Sequence, residues 1–270
     1  MNDSNTYQAV RIGDIADWRL ICQISGGGMG AYLRHIDPTQ DVVTLFDERW
    51  DNDPDSLLTR IENAVYDHPQ VLDDFSADIA VVAPRSIWVP SELVDDDDDE
   101  AARLYSQVYT ARPEDILTET VGDATCISSL VSGLNAFLQR TFPGARVHPH
   151  LAVLASRMRE RSADMSRVYI DIREGEADFL AFDRTELLLA ATHTWRTLDD
   201  LQYHLFNIMD VCGLDPAEAQ VSLSGIREHK NSLMPLLRKN INYVMFTMMP
   251  GISAKAGMPV AAAMMMRLNP

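Results

Sequence analysis

The sequence predicts an α/β chain of two tandem units, each a mixed five-stranded sheet with helices on both faces. Three observations carry this expectation. The order strand–strand–strand–helix–strand occurs at residues 19–83 and again at 167–224, and a repeated order points to a duplicated unit. The run Ala77–Ala83 is almost wholly apolar, as strands buried on both faces of a parallel sheet are. Charge divides the chain as well: residues 1–135 carry 8 Lys and Arg against 26 Asp and Glu, whereas residues 136–270 carry 15 against 14. With 270 residues, 46% of them hydrophobic, the chain can bury two cores without disulfide or metal staples.

In chain order, residues 1–18 read as a polar leader. Arg19–Ser25 alternates and runs into Gly26-Gly27-Gly28, a strand ending in a tight turn. Gly30–Ile36 and Asp41–Asp47 follow as strands around the Asp37-Pro38 turn. Pro54 opens a helix with Leu57, Leu58, Ile61 and Val65 on one face and Asp53 as its N-cap candidate. Ala77–Ala83 is the next strand, and Ser86–Val89 is extended up to Pro90. The six acids Asp95–Glu100 lack the spacers and turning glycine of a calcium loop. They are expected as a solvated loop and helix start, where acids are favoured.

The middle of the chain predicts a strand near Val121–Cys126, a helix over Ser128–Thr141, a break at Pro143-Gly144 and a helix ending near Arg161. His148 and His150 read as capping or packing residues, because this HxH pair has no third metal ligand nearby. Strands are expected at Arg167–Ile172, Ala177–Phe182 and Glu186–Thr192, the last two joined by Asp183–Thr185. A helix opening at Thr197 or Asp199 carries Leu201, Leu205, Ile208 and Met209 on one face. A strand at Gln220–Ser224, a helix over Ser232–Arg238 and a strand at Tyr243–Thr247 complete the pattern.

Three antiparallel strands followed by a helical crossover to parallel strands describe the ribonuclease H-like unit. Two such units in tandem form the actin-like ATPase and sugar-kinase architecture, in which nucleotide binds in the cleft between them. The expected division is a leader over 1–18, a first unit with an inserted acidic segment over 19–165, and a second unit with a methionine-rich end over 166–270. The repeat is read as one of element order rather than of residues.

From about Ile87 onward the chain resembles a bacterial family known as domain of unknown function 3822. The resemblance rests on Trp88-Val89-Pro90 with Glu92-Leu93, on Arg146-Val147-His148, and on Val168-Tyr169-Ile170-Asp171 followed by Asp178-Phe179. It continues through Leu187-Leu188-Leu189, Thr197, Asp199-Asp200, Tyr203-His204, Gly213-Leu214-Asp215-Pro216 and Leu223-Ser224-Gly225. The chain departs from the family pattern at Thr192-His193-Thr194-Trp195 and at His204. The resemblance implies an actin-like, duplicated ribonuclease H-type fold and brings no established activity.

An actin-like ATPase needs an acid at the end of the first strand of each unit, to hold metal-bound water. Small residues must follow, so that backbone N–H groups reach phosphate. Gly26, Gly27 and Gly28 suit a first phosphate loop, but Gln23 and Ser25 stand where the acid belongs. A glycine-rich hairpin also needs no ligand to explain it. Asp171 does sit at a strand end, yet Glu174 and Glu176 follow it and would repel phosphate. Ser224 and Gly225 match an adenosine loop only as one short turn. These six residues define a candidate nucleotide cleft in which ATP with Mg²⁺ is disfavoured, and the sequence assigns no catalytic residue and no metal ligand. Nuclease chemistry lacks the converging carboxylates it requires, since Arg19–Ser25 contains none.

Net charge of −17 opposes phosphate backbones and anionic membranes. Three isolated cysteines, Cys22, Cys126 and Cys212, read as reduced thiols, and the N-terminus lacks signal-peptide features. A cytoplasmic location is therefore expected. Seven of 13 methionines follow residue 244, and methionine serves both as core filler and as an adaptable docking surface. Met264–Met266 after Ala261–Ala263 can form a docking helix for a partner or a second copy. Self-association, if any, is expected through the second half, with Met258–Met266 contributing. The leading functional expectation is a non-catalytic interaction or assembly protein with a degenerate nucleotide cleft. The alternative is a nucleotide-binding ATPase, kinase-type enzyme or switch.

Overall fold

The computed structural model describes residues 14–51, 53, 56–94, 98–248 and 258–266. The first unit runs β1 (Trp18–Ser25), β2 (Gly28–His35), β3 (Val43–Arg49), α1 (Leu57–Asp67) and β4 (Ser76–Val81). An insertion follows, with β5 (Arg85–Pro90), α2 (Asp98–Ser106), β6 (Ile116–Val121) and β7 (Ala124–Ser129). The unit closes with α3 (Leu134–Thr141), β8 (Arg146–Pro149) and α4 (His150–Arg161). The second unit is β9 (Arg167–Ile172), β10 (Glu176–Asp183), β11 (Glu186–Thr194), α5 (Leu198–Val211), β12 (Gln220–Gly225), α6 (Arg227–Leu237), β13 (Tyr243–Phe246) and α7 (Val260–Met265).

Strand order is β3-β2-β1-β4-β8 in one five-stranded sheet and β11-β10-β9-β12-β13 in the other. In each, the first three strands pair antiparallel and the last two join in parallel. This is the duplicated unit expected from the sequence. The insertion forms a third sheet, ordered β5-β7-β6.

Alternation along the strands sorts side chains between layers. Leu20, Cys22 and Ile24 of β1 pack with Ile61 and Val65 of α1 and Leu134 and Leu138 of α3. Val168, Ile170 and Ile172 of β9 pack with Leu201 and Leu205 of α5 and Leu233 and Leu237 of α6. Thr197 and Asp200 start α5 with a reciprocal capping box. Between the sheets lie α4 and α7, in contact with each other. The final helix of each unit rests on the sheet of the other: α4 against β10 and β11, α7 against β1 and β4. Hence α4 buries Leu151, Ala152, Val153, Leu154, Ala155 and Met158 around most of its circumference, as a helix enclosed on several sides must.

Several sequence expectations are corrected. The single strand near Val121–Cys126 is a hairpin of β6 and β7, turned at Gly122 with φ of 63°. The helix expected from Ser128 starts only after Gly133, because Ser128 and Ser129 still pair with Leu117 and Ile116. The residue preceding α1 is Ser56, not Asp53. Helix α6 begins at Arg227 rather than Ser232; its first turn carries no apolar signal, its buried residues being Leu233, Met234 and Leu237. Within Met258–Met266, expected to contribute to any interface, Met264 is buried against Leu180 and Phe182, and Met258 and Met266 are buried against Ile21 and Tyr32. Of the acidic block, Asp95–Asp97 lie outside the described residues, and Asp98–Glu100 open α2. Among the described residues no helix is long and apolar enough to cross a membrane.

Candidate functional site

Asp171 of β9 pairs in register with Asp178 of β10 and with Ser224 of β12, and Asp178 pairs with Thr192 of β11. Residues directly opposite one another project from the same face of a sheet. Thr192, Asp178, Asp171 and Ser224 therefore form one polar row across four strands, on the face turned toward α4. Its two ends are hydroxyl donors: Thr192 Oγ1 donates to Asp178 Oδ1 at 2.6 Å, and Ser224 Oγ to Asp171 Oδ1 at 3.0 Å.

Asp178 is fully buried. Arg173, from the β9–β10 turn, holds it through Nη2 at 2.8 Å and Nε at 3.1 Å, and also reaches Glu176 at 2.9 Å. His150, the first residue of α4, places Nε2 3.1 Å from the same carboxylate. Burial opposes the charge of Asp178, but the adjacent His150 and Arg173 hold its carboxyl well below the usual carboxylate range. Asp171 shifts the other way. Burial, and then the charge of Asp178, push its carboxyl up to about 6.

The first unit has the same scaffold with other chemistry. Strand register makes Gln23 the counterpart of Asp171, Gly30 of Asp178, Asp47 of Thr192 and Ala80 of Ser224. Gln23 is buried, and its Oε1 accepts the Ala262 N–H in the first turn of α7 at 3.0 Å, satisfying one of the orphan donors of a helix start. A Cβ at Gly30 would lie 2.4 Å from the Tyr32 hydroxyl, so the tyrosine fills the space that an aspartate occupies in the second unit.

Each unit closes its first hairpin with a tryptophan. Trp50 donates its backbone N–H to Gly27 O at 3.1 Å and its indole N–H to Gly26 O at 2.9 Å. Trp195 donates to Gly175 O at 3.0 Å and to Arg173 O at 3.2 Å. The units thus share this tryptophan, while the facing strand positions carry different residues.

The six candidate cleft residues are brought together only in part. Asp171 and Ser224 touch; Gly225, at φ of 87°, is needed because a Cβ there would lie 2.1 Å from Ile172 O. Gly26 and Gly27 form the β1–β2 turn and Gly28 starts β2, where a Cβ would lie 2.4 Å from Glu48 O. His148 and His150 diverge: His148 sits between Asp78 and Glu119, which push its imidazole up to about 9. Among the described residues no three His, Cys, Asp or Glu side chains converge as a metal site. Sequence reasoning missed Asp178, Thr192, Trp50 and Trp195. The signal for Asp178 was an acid between Ala177 and Phe179, sharing its side of the strand with Leu180 and Phe182.

The family described as "Protein of unknown function (DUF3822)" matches residues 15–244. No protein of curated function matches the sequence. A solved structure from Bacteroides thetaiotaomicron VPI-5482, described as having an actin-like ATPase fold and unknown function, is similar at TM-score 0.77 and 18% identity, over 93% of this chain and 95% of that one. The PilM-PilN type IV pilus biogenesis complex is similar at TM-score 0.54 and 12% identity, over 92% and 96%. The ethanolamine utilization protein EutJ of Carboxydothermus hydrogenoformans is similar at TM-score 0.50 and 6% identity, over 92% and 89%. These likenesses show an actin-like fold.

Proposed function

The chain belongs to the DUF3822 family of proteins of unknown function, and from that premise we propose a non-catalytic interaction or assembly protein, built on an actin-like scaffold whose nucleotide cleft has become structural. The carrying observation is that Arg173 and Asp178 neutralise each other across the second hairpin while Gln23 replaces the acid of the first. A magnesium nucleotide fits this donor set poorly. The Gln23 amide is engaged by Ala262, Asp171 is shared with Ser224, and Glu176 already holds Arg173. The acidic surface favours a protein partner over nucleic acid or an anionic membrane. That a neighbour of this fold was solved as a pilus biogenesis complex supports use of the scaffold in assembly.

The test is thermal unfolding of the full chain with and without millimolar ATP–Mg²⁺. A ligand at 100 times its Kd stabilises by about 2.7 kcal/mol, or about 5–10 °C for a chain of this size. The proposal expects no shift. A saturable rise in Tm, or phosphate release lost on Asp171→Asn, would return the cleft to nucleotide chemistry.

A further inference from the structure

We propose that the outer edge of β13 receives an extended, apolar and acidic segment of a partner protein, added as a further strand. β13 ends the second five-stranded sheet, and among the described residues no strand pairs with its outer side. Thr247 N–H donates to Leu223 O at 2.8 Å, so residue 247 faces β12. By alternation, Val244 and Phe246 turn their N–H and carbonyl groups to the open edge. Arg238 Nη2 occupies the Val244 carbonyl at 3.1 Å. The Val244 N–H and both backbone groups of Phe246 are what the edge offers to a partner strand. Folded proteins ordinarily blunt such an edge with charge, proline or a bulge. Residues 241–248 contain no charged residue and no proline, and the register with β12 runs without a bulge. Tyr243, Met245, Phe246 and Met248 are exposed along it. An unpaired edge of this kind binds a peptide through its backbone, with alternate side chains read on each face.

The charge of the occupant follows from the groups in contact with the strand. Arg238 meets β13 at Val244, Lys230 Nζ lies 5.3 Å from the centre of the Phe246 ring, and Arg161 Nη1 donates to Met248 O at 2.9 Å. Cations therefore flank the strand from Val244 onward. Asp215 and Glu218 belong to the turn that meets Asn242, ahead of that stretch. Glu228, two residues from Lys230, points about 200° away from it around α6. The same cations disfavour a second copy: antiparallel self-pairing of β13 would set Arg238 of each copy near Lys230 and Arg161 of the other. On a chain of net charge −17, this edge is a local exception, and it selects an acidic segment.

This inference rests on the interaction reading, but its test is separate, because peptide binding and nucleotide binding are scored independently. Phage-displayed random peptides would be selected on the immobilised full-length protein, and enriched peptides measured by fluorescence anisotropy. Enrichment of acidic–apolar sequences is expected, with affinity reduced about tenfold by Met245→Asp and weakened by Lys230→Glu and by high salt. Tyr203→Asp, which places the same acid at an exposed position of α5, should leave binding intact. Unchanged circular dichroism and Tm would show that the variants fold. In amide hydrogen exchange, the Phe246 N–H should exchange freely in the parent chain and slow by about tenfold or more with saturating peptide. No enrichment, basic enrichment, or equal binding to Met245→Asp would overturn the proposal. So would a Phe246 N–H protected without peptide, since the edge would then already be occupied. Saturable binding to phosphatidylglycerol vesicles that Met245→Asp abolishes would also overturn it, by making the patch a lipid-binding one.

Discussion

The two units place different chemistry at matching positions of one scaffold. In the first, Ser25, Gly28, Gly30 and Ala80 are small and uncharged, Tyr32 fills the gap, and Gln23 ties the sheet to α7 through one neutral hydrogen bond. In the second, Arg173, Glu176, Asp178 and Ser224 stand at those places, and the tie to α4 is the contact of Asp178 with His150. Both ties cross the unit boundary, since α4 follows the first unit and α7 the second. The difference teaches that joining two units through their final helices can use either solution, and that the charged one carries the greater penalty when half removed. A buried ion with its partner deleted retains its full desolvation cost, whereas the desolvation cost of an orphaned neutral amide is smaller.

The comparison breaks most visibly at Asp178. Asp178→Ala leaves Arg173 and His150 without their carboxylate and is expected to destabilise by about 3–5 kcal/mol in urea unfolding. A loss no larger than that of an exposed substitution would mean that the cluster contributes little to the junction. Gln23→Ala strands the Ala262 N–H and should cost about 1–3 kcal/mol. A cost equal to that of Asp178→Ala would erase the contrast between the units. Tyr32→Phe is the smallest expected change. The Tyr32 hydroxyl is buried and has no hydrogen-bond partner among the described residues, so its removal should be neutral or stabilising by up to about 1 kcal/mol. A clear loss of stability would reveal a bond made by that hydroxyl.

The sheets were legible because alternation and apolar runs are local signals. Arg167–Ile172 is a strand with the same bounds in sequence and structure, and Thr197 announces α5 through its own cap. Asp171 was legible as a strand-end acid. Its setting was not, because His150 and Asp178 are 28 residues apart and meet only through packing of the units. The Gln23–Ala262 bond spans 239 residues, and no periodicity encodes it. The methionines were ambiguous for a related reason: an apolar helix looks the same whether it covers a partner or the other half of its own chain. Gly122 was a missed turn signal, and with it the hairpin that makes β6 an edge.

The central claim, that burial and Asp178 rather than a bound cation set the state of Asp171, is tested most directly by the unfolding free energy of Asp171→Asn against the parent chain as a function of pH. The Asp171 carboxyl is raised from 3.8 to about 6 in the folded protein. Between those values the native state therefore binds more protons than the unfolded chain, and stability falls as pH rises. Asparagine imitates the protonated form and still accepts from Ser224. The account predicts that the variant is more stable than the parent at neutral pH, by up to about 3 kcal/mol, and that the gap closes as pH falls toward 4. A variant less stable than the parent at neutral pH, or a difference that does not change with pH, would contradict it.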